Sequence, residues 1–202
     1  TARTGDLPFT PPPAPAVSGW SAFVERDLLE VAKKTVIGHV LMGHVARLPR
    51  HNQGPLSQPS AAFVSIRTGT GAGVTLRARA GSVDGSQPLL EAVRNAAADA
   101  VRQILPKLEE RDLATLEIEV TVPAQLVPLD RADLSSVEVG REGVVVRREA
   151  SEPGEADWEG VVLPQDAGSL GWSGPVLLRQ ACLAASLPLE CHKDPRTQWR
   201  RF

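Results

Sequence analysis

The sequence contains no tyrosine and few aromatic residues, since four Trp and four Phe are all that it has among 202 residues. Binding of single-stranded nucleic acid by base stacking therefore has little support. Lys+Arg 22 nearly balance Asp+Glu 24, and the net charge of -2 gives no overall positive field that would favour nucleic acid or an anionic membrane. No apolar run approaches the roughly 20 residues that cross a bilayer, so we predict no membrane span.

The chain has only two cysteines, Cys182 and Cys191, and four lysines against 18 arginines. The spacing allows the cysteines to pair, but Cys182 falls in an apolar helical pattern, and we interpret it as a small buried apolar residue. Two cysteines in a chain of this size indicate a reducing compartment. The first residue is Thr1 instead of Met, which favours a trimmed chain. The trimmed start and the arginine-rich composition together predict an intracellular protein of the mitochondrial matrix, with cytoplasm or nucleus as alternatives.

Residues 1–19 differ in composition from the rest of the chain. Their Pro-rich run over residues 10–16 offers almost nothing for a core and predicts an extended, polyproline-like arm. This arm is either a disordered tail, which the composition favours, or a segment that docks on other protein subunits. Residues 20–202 have ordinary globular composition, and their length predicts one domain, with or without a small lobe.

Three helices are predicted from apolar residues that recur at helical spacing. The first covers about 21–46 and stops near Pro49. The second has Pro88 in its first turn and ends at Pro106, and the third covers about 173–187. Each helix is thus bounded by proline, which favours helix starts and stops over helix interiors.

Short strand-like segments lie between these helices. They are 62–66, 74–78, 116–122, 137–139, 144–146 and 159–163. Residues 116–122 alternate strictly between apolar and polar, as in a strand with one buried face. The segment 137–146 predicts a hairpin around the glycines at its centre. Strands paired by hairpins, with helices before, between and after them, predict a largely antiparallel α+β fold.

Two pairs of charged residues are candidates for chemistry. Glu117 and Glu119 share the polar face of one strand, and carboxylates about 7 Å apart suit acid–base work. Arg77 and Arg79 also stand two residues apart on a strand, where side chains point the same way, and forked guanidinium groups suit an anion or phosphate. A solvated strand face is the alternative interpretation of both pairs.

Other signals point away from a cofactor or metal. The glycines of residues 69–73 are followed by a strand pattern, so they predict a hairpin turn instead of a phosphate-binding loop. The histidines His39, His44, His51 and His192 do not have the spacing of a zinc site. No Gly-x-Ser-x-Gly elbow occurs. We therefore predict no metal, no cofactor and no catalytic residue.

Several segments follow one another in a specific order. They are Leu28-Leu29-Glu30-Val31-Ala32-Lys33-Lys34, Ala62-Phe63-Val64-Ser65-Ile66, residues 88–97, residues 113–122, Val139-Gly140-Arg141-Glu142-Gly143-Val144, Val162-Leu163-Pro164-Gln165, Gly171-Trp172 and residues 178–188. In order and spacing they resemble the AMMECR domain family, over about residues 27–202. The resemblance implies an α+β fold with a central, mostly antiparallel sheet flanked by helices and a smaller second lobe. It implies no assigned biochemistry.

The family's signature hexapeptide, Leu-Arg-Gly-Cys-Ile-Gly, corresponds to residues 76–81. Here the third and fourth positions are Ala78 and Arg79. A guanidinium is no nucleophile, so thiol chemistry is excluded at this place. The resemblance marks the hexapeptide as a suspected binding site. The candidate ligand-binding residues are Arg77, Arg79 and Gly81 of this segment, together with Glu117, Glu119 and Gln165 from outside it.

Three functions follow as hypotheses. The first is a diverged, non-catalytic AMMECR-like domain that serves as an interaction or structural subunit of a larger, mitochondrial assembly. The second is an enzyme, or the substrate-handling partner of a Memo-like or radical enzyme, with an anion site at Arg77 and Arg79. The second hypothesis is based on the resemblance, because some family members are fused to, or found beside, such proteins. The third is an RNA-contacting component of a ribonucleoprotein.

Overall fold

The computed structural model of the chain describes residues 21–44, 54–123, 125–150 and 157–202. The predicted arm over residues 1–19 lies outside these ranges. Helices and two antiparallel sheets make up the described part, which confirms the α+β class. The chain divides into two compact units, the first within Val17–Pro123 and the second within the residues that follow.

The first unit contains a three-stranded sheet. Strand β1 (Ala62–Thr68) lies between β2 (Thr75–Ser82) and β3 (Leu116–Thr121), and both pairings are antiparallel. One face of the sheet packs against two helices, α1 (Ala22–Met42) and α2 (Leu89–Gln103). The predicted turn over residues 69–73 joins β1 to β2, as expected.

Helix α1 ends four residues earlier than predicted, at Met42. The next residue, Gly43, adopts the left-handed conformation with φ 69°, and its N–H donates to the His39 carbonyl at 3.0 Å. Glycine takes this conformation without a steric penalty, so it terminates the helix before the apolar pattern runs out.

Helix α2 presents a nearly continuous apolar face to the sheet. Its buried residues are Leu89, Leu90, Val93, Ala96, Ala97, Ala98, Ala100 and Val101. Each large aliphatic side chain buried in this way contributes roughly 1.5–3 kcal/mol of transfer free energy. Pro88 caps the helix instead of occupying its first turn, and the helix ends at Gln103, before Pro106.

The second unit contains a four-stranded antiparallel sheet in the order β4-β7-β5-β6. These strands are β4 (Val127–Leu129), β5 (Val144–Arg148), β6 (Trp158–Val162) and β7 (Thr197–Arg201). The predicted hairpin over residues 137–146 is wrong. Strand β5 pairs instead with β6 and β7, which lie much later in the chain, and residues 138–142 form a turn.

Helix α4 (Gly174–Ala184) packs on this second sheet, and the short α3 (Pro164–Ser169), which the sequence did not predict, precedes it. Gly160 of β6 allows the close approach of α4. A Cβ added at Gly160 would stand 2.3 Å from the backbone nitrogen of Ala185 and 2.6 Å from the Ala181 carbonyl oxygen. The strand can therefore carry only glycine at this contact.

The interpretation of Cys182 as an unpaired buried residue is wrong. Cys182 near the end of α4 forms a disulfide with Cys191, and their Cα atoms are 5.7 Å apart. The chain turns back after α4, which brings the two residues within the range that a disulfide requires. Both are almost fully buried.

No helix among the described residues is both long enough and apolar enough to cross a membrane.

Candidate functional site

The first sheet has a polar face opposite the one that packs on the helices. Ser65 of β1 pairs with Arg79 of β2 on one side and with Glu119 of β3 on the other. Directly paired residues of antiparallel strands point to the same face, so these three side chains lie side by side. We use the name polar face for Ser65, Arg67, Arg79, Glu117 and Glu119.

Contacts across the strands connect the side chains of the polar face. The Arg79 Nε donates to Ser65 Oγ at 2.9 Å, and Ser65 is only 1% exposed. Nη1 of Arg67 lies 2.5 Å from Glu119 Oε2, although Arg67 pairs in register with Glu117. These contacts link all three strands, and they satisfy groups that would be costly to bury alone.

Arg77 stands at an irregularity of the β1–β2 pairing. The register passes from Ile66 opposite Ala78 directly to Arg67 opposite Leu76, so Arg77 is the extra residue of a β-bulge. A bulge interrupts the alternation of side chains along the strand.

The contacts of Arg77 therefore differ from those of Arg79. Its guanidinium donates to Thr68 Oγ1 at 3.2 Å and to the carbonyl of Pro106, after α2, at 3.1 Å. Thr68 and Ser65 are three residues apart on β1, so they point to opposite faces. The prediction that Arg77 and Arg79 point the same way is wrong, and the two do not form a clamp on one face.

Gly81 is crowded by main chain. A Cβ at this position would lie 2.2 Å from the Ala62 carbonyl oxygen and 2.6 Å from the Cα of Phe63. The glycine of the hexapeptide thus has a steric role in the pairing of β2 with β1. Its suggested ligand-binding role stays a prediction.

The two glutamates share one face of β3, as the alternation predicts. Glu119 is in the ion pair with Arg67, whereas Glu117 is exposed. The sixth candidate, Gln165, lies on α3 in the second unit. Five of the six candidates therefore belong to the first sheet. Ligand binding by any of them stays a prediction.

Ser65 and Arg67 were missed as members of this site. Their signal was present in the alternation of β1, where Ser65 and Arg67 lie on either side of the buried Ile66. A polar residue at every second position of an apolar strand indicates a second, polar face.

Within the ranges that the structure covers, no group of three or more His, Cys, Asp or Glu side chains could hold a metal ion. His39 and His44 lie on or just after α1, and His192 lies in a short helical turn over Cys191–Lys193. His51 is outside the described ranges.

A second feature, which was not predicted from the sequence, is an open groove of about 580 Å³ beside β4 and β7. Residues 128–131 and 197–200 line it, including Arg131 and Arg200. Pro128 lies in the middle of the edge strand β4, where it removes a donor that another strand would use. The edge of β4 is therefore a poor template for pairing with a further strand.

Comparison with known proteins identifies relatives across most of the chain. The AMMECR1 family model matches residues 29–202. A protein of Aeropyrum pernix is 34% identical over 180 residues, which cover 87% of this chain and 74% of that protein. A protein of Methanothermobacter thermautotrophicus is 29% identical over 184 residues, covering 88% of this chain and 90% of the relative. The crystal structure of the uncharacterized protein PH0010 from Pyrococcus horikoshii has the same fold, with a TM-score of 0.74 at 22% identity, over 87% of this chain and 86% of that one.

Proposed function

Because the chain belongs to the AMMECR1 family, we propose that it is a diverged, non-catalytic member that acts as an interaction or structural subunit of a larger assembly. The observation that carries this proposal is the contact of Arg79. At the place where the family signature has a cysteine, this side chain donates to Ser65 and links two strands. The position serves the framework of the sheet and supplies no nucleophile.

The exposed surface of α1 supports the interaction role. Ile37, Leu41 and Met42 lie on its last two turns and are 37%, 52% and 62% exposed. Of these, Ile37 and Leu41 lie one turn apart on the same face, and neighbouring exposed apolar side chains of this size are typical of surfaces that another protein covers. The opposite side of the same helix, with Leu28 and Val36, is buried in the core.

The test is to isolate the chain from its source cells under native conditions and to measure the mass of the particle. We expect a stoichiometric complex with at least one other protein. The double substitution Ile37→Asp with Leu41→Asp should release the chain as a monomer, since charges placed in an apolar interface are strongly unfavourable.

Leu183→Asp is the matched control, because Leu183 is a helical leucine of the second unit with 50% exposure, close to that of Leu41. The control should retain the complex. A native chain that migrates as a lone monomer would contradict the proposal, and so would equal effects of the two substitutions in correctly folded protein.

The anion-binding hypothesis has less geometric support, because Arg77 and Arg79 make their contacts on opposite faces of the sheet. The RNA hypothesis and the mitochondrial location stay predictions. Titration with a polyphosphate tests the anion-binding hypothesis, and the loss of RNA association with rising salt tests the RNA hypothesis.

A further inference from the structure

We propose that the Cys182–Cys191 disulfide is a redox-dependent latch that holds strand β7 in the second sheet. Reduction would release β7 and the segment before it while leaving the first unit unchanged. The proposal concerns the second unit alone and does not depend on the proposed function.

Strand β7 is central to its sheet but is reached through an irregular segment. It pairs with β5 on one side and β4 on the other. Between the end of α4 and the start of β7, the only regular element is the short turn over Cys191–Lys193. Because the connection has so little helix or strand structure of its own, its resistance to local opening depends on the contacts and the cross-link that hold it to the core.

The disulfide fixes this connection at its midpoint. Cys182 belongs to the apolar core of the second unit, so its partner Cys191 is held against that core. The closed loop is short, with a sequence separation of 9 residues. A cross-link over such a loop still removes considerable freedom from the opened state.

The constraint passes from Cys191 to β7 through Thr197. The hydroxyl of this buried residue is 2.9 Å from the Cys191 carbonyl oxygen and 2.8 Å from that of Asp194, and its single hydrogen is shared between these two acceptors. The same hydroxyl accepts from the indole nitrogen of Trp199 at 3.1 Å. One side chain thereby connects the latch to the first and third residues of β7.

The corner also contains an ion pair of Asp194 with the exposed Arg196, and two buried polar atoms without a hydrogen-bond partner. Arg148, opposite Thr197 on β5, stacks on the ring of Trp158 at 4.4 Å, and its Nη1 lies 3.9 Å from Asp194. Its Nε is buried without a hydrogen-bond partner, as is Nδ1 of His192. Unpaired buried polar atoms lower the stability of a region, so the corner depends on the disulfide more than a fully bonded one would.

A soluble dithiol reduces the bridge in two successive thiol–disulfide exchange steps. One thiolate of the dithiol attacks a sulfur of the bridge and forms a mixed disulfide, while the other protein sulfur leaves as a thiolate and takes up a proton. The second thiol of the reagent then displaces the protein sulfur. The protein gains two hydrogens as two thiols, and the reagent becomes a disulfide. Burial of both sulfurs requires a local opening before attack, so the oxidised state is protected.

Hydrogen exchange of the full chain, with and without dithiothreitol, tests the latch. On reduction we expect the amides of β7 and the adjacent β5 to exchange roughly 100-fold faster, the factor expected from opening a loop of this length. Amides of β1, β2 and β3 should keep their protection. The double variant Cys182→Ala with Cys191→Ala should exchange like the reduced chain and should not respond to dithiothreitol.

Alkylation provides the second measurement. Oxidised protein should resist iodoacetamide and should weigh less than the dithiol form by two hydrogen atoms. Equal protection of β7 in oxidised and reduced chains would overturn the proposal, even if the alanine variant failed to fold. Loss of protection spread evenly over both sheets would also overturn it, as would two free thiols in protein prepared from source cells without reductant.

Discussion

The two sheets of the molecule are stabilised in different ways. The first lies on two helices of 21 and 15 residues, and its polar face is linked by Arg79 to Ser65 and by Arg67 to Glu119. The second packs mainly on a helix of 11 residues and has a disulfide in its core. A unit of fewer than about 80 residues rarely obtains enough stability from one apolar core, so a covalent link compensates for the smaller helical layer.

Replacement of a crowded glycine in each unit should have the largest effect. Gly81→Ala in the first sheet and Gly160→Ala in the second each place a Cβ within 2.3 Å of backbone atoms, which cannot move as a flexible side chain could. We expect each to lower the free energy of unfolding by about 3 kcal/mol or more. Denaturant titration measures this, and hydrogen exchange shows which sheet is affected.

Gly73→Ala and Gly174→Ala are the controls for the two units, since a Cβ at either position meets nothing within 4 Å. Both should unfold close to the wild type. A loss of stability in the controls that equals the loss in Gly81→Ala or Gly160→Ala would show that close packing is not the cause.

Removal of the disulfide should have the next largest effect, and it should destabilise the second unit but not the first. The variant Cys182→Ala with Cys191→Ala should lose about 2–3 kcal/mol, from the greater freedom of its unfolded chain. Three of the four tryptophans, Trp158, Trp172 and Trp199, lie in the second unit, so tryptophan fluorescence reports mainly on it. An unchanged fluorescence midpoint in urea would argue that the second unit needs no cross-link.

The ion pair of the polar face should have a smaller effect. A double-mutant cycle with Arg67→Met and Glu119→Gln should give a coupling energy of about 0.5–1 kcal/mol, because the pair is only partly buried. The exposed pair of Arg141 with Glu138, in the second unit, is the matched control and should give a coupling close to zero. Equal couplings would indicate that the polar face adds nothing beyond surface charge.

A pH effect confined to the second unit should be the smallest. Hydrogen bonds from the Arg196 side chain and backbone lower the pKa of Asp194 from 3.8 to about 2. A carboxyl whose pKa is lower in the folded state stabilises the fold above its unfolded pKa, and this contribution is lost as the pH falls through the interval to the folded pKa.

Asp194→Asn should therefore have a slightly lower melting temperature than the wild type at neutral pH, and the difference should disappear at about pH 2. Thermal melts between these pH values measure it. A difference that persists unchanged at low pH would mean that ionisation of Asp194 is not its origin.

The sequence predicted correctly the features that depend on neighbouring residues. It did not predict which strands pair when the two strands are far apart in the chain. The alternation of β3 placed Glu117 and Glu119 correctly, because a period of two and one-sided burial determine the face. The valines of β5 gave no sign that their partners were β6 and β7 instead of residues 137–139.

The candidate site shows the same contrast between local features, which were predicted, and features that depend on distant parts of the chain, which were not. Alternation was enough to find a polar face, but one extra residue in β2 moved Arg77 to other contacts, and nothing in the composition of residues 75–82 marks that irregularity. The spacing of Cys182 and Cys191 likewise left their pairing open, because only the turn of the chain after α4 decides whether their Cα atoms come close enough.

The position of the bridge has a practical consequence for handling this chain. Leu189 is about half exposed and lies between the two linked sulfurs. A single protease cut beside it would leave both polypeptide fragments covalently attached. Electrophoresis without reductant would then display a full-sized band from nicked protein, and the scission would become visible only after thiol was added to the sample.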